Sequence, residues 1–312
     1  MARKLNLRGL TFEKATRDFL KKRKSKLKES TLARYSFLCE RHIVPYFGAL
    51  ELANLDNDTI NNFIKYKAKN GGLRGNALSP KTIRDIVSLL VQIIKPHCNF
   101  DIDIEKPTCR QKDITIFTNT EHDRLKAYLS IGTDSKKLGV LIAMLTGIRI
   151  GELCALKWEN IDLEKETITI NRTIQRVQVT GSSCGKKTKV IIDTPKSSAS
   201  IRDIPIISTL LGSLEKFKAD GDTYILTNTK DYIEPRTYQK YFKSYLTSCN
   251  VKDNKFHTLR HTFATMAIAK GVEIKALSTM LGHMDVSFTM KRYIHPNMEH
   301  KRTQIEKLAS GF

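Results

Sequence analysis

The chain has 312 residues, 40% of them hydrophobic, with 53 Lys and Arg against 32 Asp and Glu and a formal charge of +21. That length holds one large domain or two ordinary ones. It contains no run of about 18 apolar residues to span a bilayer, and its first residues, MARKLNLRGLTFEK, lack the apolar core of a secretory signal, so a cytoplasmic, nucleoid-associated protein is expected. The positive excess points to a polyanionic partner, nucleic acid above all. The cysteines (Cys39, Cys98, Cys109, Cys154, Cys184 and Cys249) include no C-x-x-C pair. That removes zinc-ribbon spacing and leaves the pattern of reduced structural thiols.

Residues 1–10 form a short basic arm. Over residues 11–28, Phe12, Ala15, Phe19 and Leu20 recur at helical spacing ahead of the run KKRKSKLK. In a chain of this charge, Lys21, Lys22, Arg23 and Lys24 are expected on DNA phosphates. Ser30 reads as the N-cap of a second helix, striped by Leu32, Tyr35, Leu38 and Ile43 and closed by Pro45-Tyr46-Phe47-Gly48. A third helix opens near Asp56 and closes at Gly71-Gly72. A fourth starts at Ser79 and Pro80 and buries Ile83, Val87, Leu90 and Ile94. Lys81 and Arg84, near its start, are further candidate DNA contacts. Residues 11–100 thus read as an all-helical domain, and residues 101–112, DIDIEKPTCRQK, as an interdomain linker. Residues 1–112 hold 23 Lys/Arg against 11 Asp/Glu, and the other 200 hold 30 against 21. Both pieces are basic, so one polyanion has room between them.

The second domain, residues 113–296, opens on the capping box Thr118-x-x-Glu121. Helices run to about Trp158, with a turn at Gly147. The period then changes to two: ETITINRTIQRV reads as a strand broken by Gly181-Ser182-Ser183, KTKVIIDT as its return and IRDIPI as a third. Helices resume near residue 207, with a short strand at Tyr224–Leu226. Residues 297–312 form a tail with the pattern of one last helix. The fold class expected is mainly α with a small antiparallel β-sheet: an all-helical domain followed by a mixed α+β domain.

Cleavage of a phosphodiester through a covalent intermediate needs a nucleophile, positive donors for the non-bridging oxygens, a group to handle the nucleophile's proton, and an acid for the leaving oxygen. Tyr293 is the candidate nucleophile, although residue type alone selects none of the 10 tyrosines. Arg292, His283 and His295 lie near it in sequence. Arg149 and Arg260 are candidate phosphate clamps, since a guanidinium stays charged and matches two phosphate oxygens. His257 sits three residues before Arg260 on one helix face. Glu152 is a structural partner for Arg149, and Lys196 follows a strand at a turn from which it can reach a backbone. His257 and His261 have the spacing of a helical zinc site, but HTLRH places an arginine between them where H-E-x-x-H has its acid. No G-x-x-x-x-G-K-[ST] loop is present for ATP.

Taken together, these stretches resemble the tyrosine recombinase, or phage integrase, family along nearly the whole chain. TGIRIGEL matches the first arginine box (Arg149, Glu152) and TPKSSASIRDIPI the lysine-bearing hairpin (Lys196). HTLRHTFAT matches the His-x-x-Arg box (His257, Arg260), LGH gives His283, and MKRYIH gives Tyr293. The resemblance implies a core-binding domain of SAM-like type over residues 11–100 and a catalytic domain that together clamp duplex DNA at a recombination site. Arg149, Arg260 and His283 would hold the scissile phosphate, and His257 and Lys196 would complete the site. Tyr293 would attack to leave a 3′-phosphotyrosyl link and a free 5′-hydroxyl. Lys196 would act as general acid, His257 as proton acceptor and Glu152 as an orienting group, with no ATP, cofactor or essential metal. It further implies a homo-tetramer on DNA, a Holliday junction, a C-terminal tail docked on a neighbouring protomer, and excision or DNA-bending accessory factors. The short segment before the first helix suggests that a separate arm-binding domain is absent or reduced.

Two rivals stay open at this point. A type IB topoisomerase uses a similar set of residues, and a DNA-binding regulator could occupy the same scaffold without catalysis. Integrase-like helices at the start and an extension past Tyr293 favour the recombinase over the first, and the complete residue set argues against the second.

Overall fold

The computed structural model describes residues 9–72, 75–98, 100–109, 113–179, 188–194, 201–283 and 285–293, with residues 302, 305 and 306 beyond them. The chain divides into two compact units: Met1–Asp113 with Val177–Lys189, and Ile114–Arg176 with Val190–Phe312. Among the described residues no helix is long and apolar enough to cross a membrane.

The first unit is helical. α1 (Phe12–Arg23) is capped by Thr11, and α4 (Asn57–Asn70) by Asp56, whose carboxylate accepts from the Thr59 N–H at 2.8 Å. α5 (Pro80–Ile94) begins on Ser79 with Pro80 at its first position. Its Ile83, Val87, Leu90 and Ile94 are buried, as the period requires. Phe47 joins Phe12 and Phe63 at ring separations of 5.3 and 4.8 Å, so α1, α4 and the segment at Phe47 share one aromatic centre.

The structure corrects one expectation for this unit and refines two others. α2 (Glu29–Leu38) starts one residue before Ser30, which lies inside the first turn with its Oγ buried and unpartnered, so Ser30 is not the N-cap. Next, the helical run closes at Phe47 and Gly48 as read, but not as one regular helix. α2 passes through a widened turn, Cys39–Ile43, in which the Val44 N–H reaches back to Cys39 O. The chain then continues into α3 (Val44–Phe47), because such a turn tolerates a proline that cannot donate. Lastly, the first part of the stretch read as a linker packs on this unit. Phe100, Ile102 and Ile104 alternate onto the core, while Asn57 and Asn61 hold the backbone of Asp101, Asp103 and Glu105 at 3.0–3.1 Å.

In the second unit, α6 (Asn119–Ser130) carries both halves of the Thr118–Glu121 capping box. α7 (Ser135–Thr146) is buried nearly all round, with Leu138, Val140, Ile142, Ala143 and Met144 each 4% exposed or less, which marks it as the central helix. α8 (Ile150–Ala155), α9 (Ser208–Phe217) and α10 (Pro235–Ser248) surround it, followed by α11 (His257–Ala269), α12 (Ile274–Leu281) and α13 (Val286–Tyr293).

The sheet differs from the sequence reading. ETITINRTIQRV is two strands in different sheets. β1 (Ile161–Asp162), β2 (Thr167–Ile170) and β5 (Arg202–Pro205) form an antiparallel trio, whereas β3 (Thr173–Gln178) pairs with β4 (Thr188–Asp193). The inward phase of Ile168 and Ile170 lapses at the polar Asn171-Arg172-Thr173 and returns at Ile174, so the phase alone does not reveal that the partner changes. Tyr224–Leu226 makes only isolated bridges, Tyr224 to Lys157 and to Thr229, around a turn in which Asn228 has φ +54°. Gly181-Ser182-Ser183 and Lys196 lie outside the described residues, as does the tail 297–312 apart from residues 302, 305 and 306.

Candidate active site

The site is built on α11. Helical spacing places His257, Arg260 and His261 on neighbouring faces of its first turns. Among the described residues Arg260 is the most confined cation, 2% exposed. Its Nη1 donates to Gly147 O at 2.9 Å, and its Nη2 to Leu281 O at 2.7 Å and His283 Nε2 at 2.8 Å. Gly147 and Leu281 lie at the C-terminal ends of α7 and α12, where carbonyls lack helical partners and the dipole is negative. The buried charge is therefore neutralised by oriented peptide dipoles. Burial and the nearby Arg149 draw Arg260 down to about 9, with Glu152 opposing, so it remains charged at neutral pH.

The end of α12 organises the arginines. The carbonyls of three consecutive residues each take a different guanidinium: Met280 O from Arg202 Nε at 2.6 Å, Leu281 O from Arg260, and Gly282 O from Arg149 Nη2 at 3.3 Å. Gly282 closes the helix at φ +65°, a conformation that suits glycine. A Cβ there would stand 3.0 Å from Arg202 Nη1. On the opposite side Glu152 binds two of the same arginines. It meets Arg149 Nη1 at 2.7 Å and Arg202 Nη2 at 2.9 Å, and it also accepts the Arg149 N–H at 3.0 Å. Burial alone would raise the Glu152 carboxyl, but its bonds and charges with Arg202 and Arg149 outweigh this and hold it below the usual range.

The imidazoles are neutral. Arg260 can only donate, so His283 Nε2 accepts, and His283 Nδ1 carries the proton that it gives to Thr289 Oγ1 at 2.7 Å. Burial, with Arg260, Arg149 and Arg202 around it, lowers His283 to about 3. His257 is lowered to about 4 by burial and by His261, Arg260, Arg149 and Arg292; its ring meets His261 edge-on at 4.5 Å. His261 Nδ1 lies 2.9 Å from the Tyr293 hydroxyl. Tyr293 itself is 8% exposed among Ala264, Ala267, Leu277 and Leu281. Burial raises its phenol, while Arg260, Arg292 and Arg149 pull it back.

Arg149, Glu152, Arg260, His283 and Tyr293 thus come together from α8, α11, α13 and the α12–α13 turn. His257 joins them through its contact with His261. Lys196 and His295 lie outside the described residues. On the first unit, Lys21, Lys22 and Lys24 near the end of α1 and Lys81 and Arg84 on α5 are exposed, and Arg23 lies 4.6 Å over the Phe19 ring.

Sequence reasoning missed three members. Arg202 shares an inward strand face with Ile204 and Ile206, and a charge in an apolar row is a signal that it needs a buried partner. Thr289 lies four residues before Tyr293, hence on its helix face. The sequence presents His261 only as a zinc ligand.

A helical fold that gathers guanidiniums and neutral imidazoles around a buried phenol defines a class, the DNA-breaking and rejoining enzymes that work through a tyrosine. The model of the phage integrase family matches residues 115–300, and that of the phage integrase N-terminal SAM-like domain matches residues 11–68. A tyrosine recombinase XerC-like protein of Caldanaerobacter subterraneus subsp. tengcongensis is 31% identical over 268 residues, 75% of this chain and 67% of that protein. The integrase of Staphylococcus phage L54a is 31% identical over 183 residues, 54% of this chain and 50% of that protein. Among solved structures, the Tn1549 transposon integrase in complex with transposon right end DNA has a TM-score of 0.75 at 20% identity, covering 96% of this chain and 100% of that one. Lambda integrase residues 75–356, as a dimer bound to a core site, has a TM-score of 0.66 at 16% identity, covering 93% and 97%. The chain belongs to the phage integrase family and is a tyrosine-type site-specific DNA recombinase.

Proposed function

We propose that this recombinase is the integrase of a mobile element and that Tyr293 is its nucleophile. The observation that carries this reading is the placement of the buried Tyr293 hydroxyl in one cluster with Arg260, Arg149 and His283 of the same chain. In this reading the duplex recombination site lies against both units, with Lys21, Lys22, Arg23, Lys24, Lys81 and Arg84 on its phosphates. Arg149 and Arg260 take the non-bridging oxygens of the scissile phosphate; once a phosphate displaces its contact with Arg260, His283 carries its proton on Nε2 and donates beside them, with the Thr289 hydroxyl donating to Nδ1 in turn. Glu152 orients Arg149.

Tyr293 attacks phosphorus to form a 3′-phosphotyrosyl bond, and the departing 5′-oxygen takes a proton from Lys196. The 5′-hydroxyl of a partner strand then reverses the step on the new duplex. Each exchange conserves the number of phosphodiester bonds, so the chemistry balances without ATP. Two rounds in a homo-tetramer on DNA pass through a Holliday junction, with accessory bending or excision factors setting direction.

The test is covalent trapping. A nicked duplex selected by the protein from a random pool is expected to give an SDS-resistant adduct with the wild-type chain and none with Tyr293→Phe. An adduct at the wild-type level with Tyr293→Phe would overturn the assignment. Relaxation of supercoils without any site requirement would favour the topoisomerase reading.

A further inference from the structure

We propose that His261, rather than His257, takes the phenolic proton of Tyr293. The inference rests on Tyr293 being the nucleophile, as proposed above, and assigns the partner of that hydroxyl.

A phenol that attacks phosphorus must lose its proton, and a phenol in an apolar pocket cannot pass it to bulk water. Among the described residues, the charged or titratable groups around the Tyr293 hydroxyl are Arg260 and His261 from α11, Arg292 from α13 and Arg149 before α8. The three arginines are donors only. His283 is committed at both nitrogens, accepting from Arg260 at Nε2 and donating to Thr289 at Nδ1. The His257 ring faces His261 at 4.5 Å. His261 Nδ1 alone stands at hydrogen-bond distance as a possible acceptor, 2.9 Å from the phenolic oxygen. The charge of Arg260 acts on that oxygen as well and favours the phenolate.

In the cleavage step the proton moves from Tyr293 Oη to His261 Nδ1 while an oxygen lone pair forms the Oη–P bond. The P–O5′ bond breaks with its electrons on the 5′-oxygen, which is protonated by the general acid. On rejoining, the incoming 5′-hydroxyl gives its proton to that acid's conjugate base. The Oη–P bond breaks, and the phenolate recovers its proton from His261. His261 therefore returns to its starting state after each exchange.

Substrate gating follows from the same cluster. Without DNA, burial and the charges of Arg292 and Arg260 hold His261 down to about 4. A phosphate seated among those arginines supplies the missing negative charge and favours the imidazolium. His261 becomes an effective base only when the scissile phosphate is in place.

The test uses the full chain and the nicked duplex of the trapping experiment under single-turnover conditions. His261→Asn sets an amide oxygen near the position of Nδ1, keeping an acceptor that cannot take up a proton. We expect it to form adduct about 10²–10⁴-fold more slowly with duplex affinity retained. Replacing Tyr293 by 3-fluorotyrosine, a more acidic phenol, is expected to restore at least tenfold of that loss, and His257→Asn to gain less from the same change. If His261→Asn fails to fold, judged by lost duplex affinity, His261→Gln takes its place in the same comparison. If both fail, the wild-type chain carrying 3-fluorotyrosine decides: an adduct rate less dependent on pH supports the proposal, and an unchanged profile overturns it. A wild-type rate for His261→Asn, or a loss that the fluorinated phenol does not restore, also overturns it. An adduct with Tyr293→Phe would instead sink the nucleophile assignment itself, so the two failures are distinguishable.

Discussion

Glu152 and Arg202 form a buried two-pronged ion pair, 2.9 Å between Oε2 and Nη2 and 3.3 Å between Oε1 and Nη1, with both side chains 5% exposed or less. The pair joins the start of α8 to β5. Arg202 also reaches Met280 O, and Glu152 also holds Arg149. A chain of contacts therefore runs from the sheet through a carboxylate to the exposed side of the arginine cluster. Arg149 is held at one end by a carboxylate and at the other by Gly282 O, which leaves its guanidinium few orientations.

Breaking that pair strands a buried charge. Arg202→Ala is expected to cost about 3–5 kcal/mol of stability, the usual penalty for removing one partner of a buried pair, measured by denaturant unfolding. Glu152→Gln tests the carboxylate through pH. Because the folded Glu152 titrates below its unfolded value, its contribution is complete above about pH 4.5 and is lost as pH falls through the folded value. The wild-type chain should lose stability in that window, and Glu152→Gln, already weaker at pH 7, should lose less of it. Parallel curves for the two proteins would refute the assignment.

The histidines act in a higher window. His257 and His261 are held at about 4 and His283 at about 3, against roughly 6.5 when unfolded. Between pH 6.5 and 4 the unfolded chain binds protons that the folded chain refuses, so stability falls as pH drops through this range. The unfolding midpoint of the DNA-free protein should decline from pH 7 to 4.5, and His283→Asn should make the decline shallower. A midpoint independent of pH down to 4.5 would mean that these rings are not held neutral.

Gly282 tests the carbonyl array. Its φ of +65° and the 3.0 Å that would separate a Cβ from Arg202 Nη1 both resist a side chain. Gly282→Ala is expected to cost about 1–2 kcal/mol from the left-handed backbone alone. It should also lower single-turnover cleavage more than duplex affinity, because the carbonyls that aim Arg149 and Arg260 shift with it. Asparagine, which tolerates this backbone better, should lose less stability. Equal stability for all three proteins would show that the turn is not constrained.

Local rules carried far along this sequence. Asp56, Ser79-Pro80 and the Thr118–Glu121 box mark helix starts because capping is a contact between residues three apart. Arg149, Arg260, His283 and Tyr293 were legible only as a set of spaced boxes that resembled a family. What escaped is what depends on distant partners. The switch of sheet after Ile170 is hidden because Ile174 takes up the same phase after a short polar gap. The inward turn of Arg202 is written in its alternation with Ile204 and Ile206, but its meaning appears only when Glu152 arrives from 50 residues away. The His261–Tyr293 contact joins α11 to α13 across 32 residues, and no spacing rule distinguishes His261 from His257 as the partner of the phenol.

Tyr293 packs beside Arg260 and His261 of its own chain, so each protomer should assemble its nucleophile and its arginines in cis. Mixing inactive variants tests this directly. In the proposed reading, Arg260→Ala lacks transition-state stabilisation and Tyr293→Phe lacks the nucleophile. If sites are built in cis, every protomer in a mixed assembly remains defective, and the mixture should form no more adduct on the nicked duplex than either variant alone. If the tyrosine were donated to a neighbour, the mixture would contain sites pairing an intact arginine cluster with an intact tyrosine, and up to about a quarter of them would recover by random pairing of two equally abundant variants; that recovery would amount to a rate enhancement large enough to detect, since loss of such a donor costs on the order of 10²–10³-fold. Both variants should still bind the duplex, because Arg260 acts mainly on the charge that develops in the transition state. Recovery of adduct in the mixture would exclude the cis arrangement.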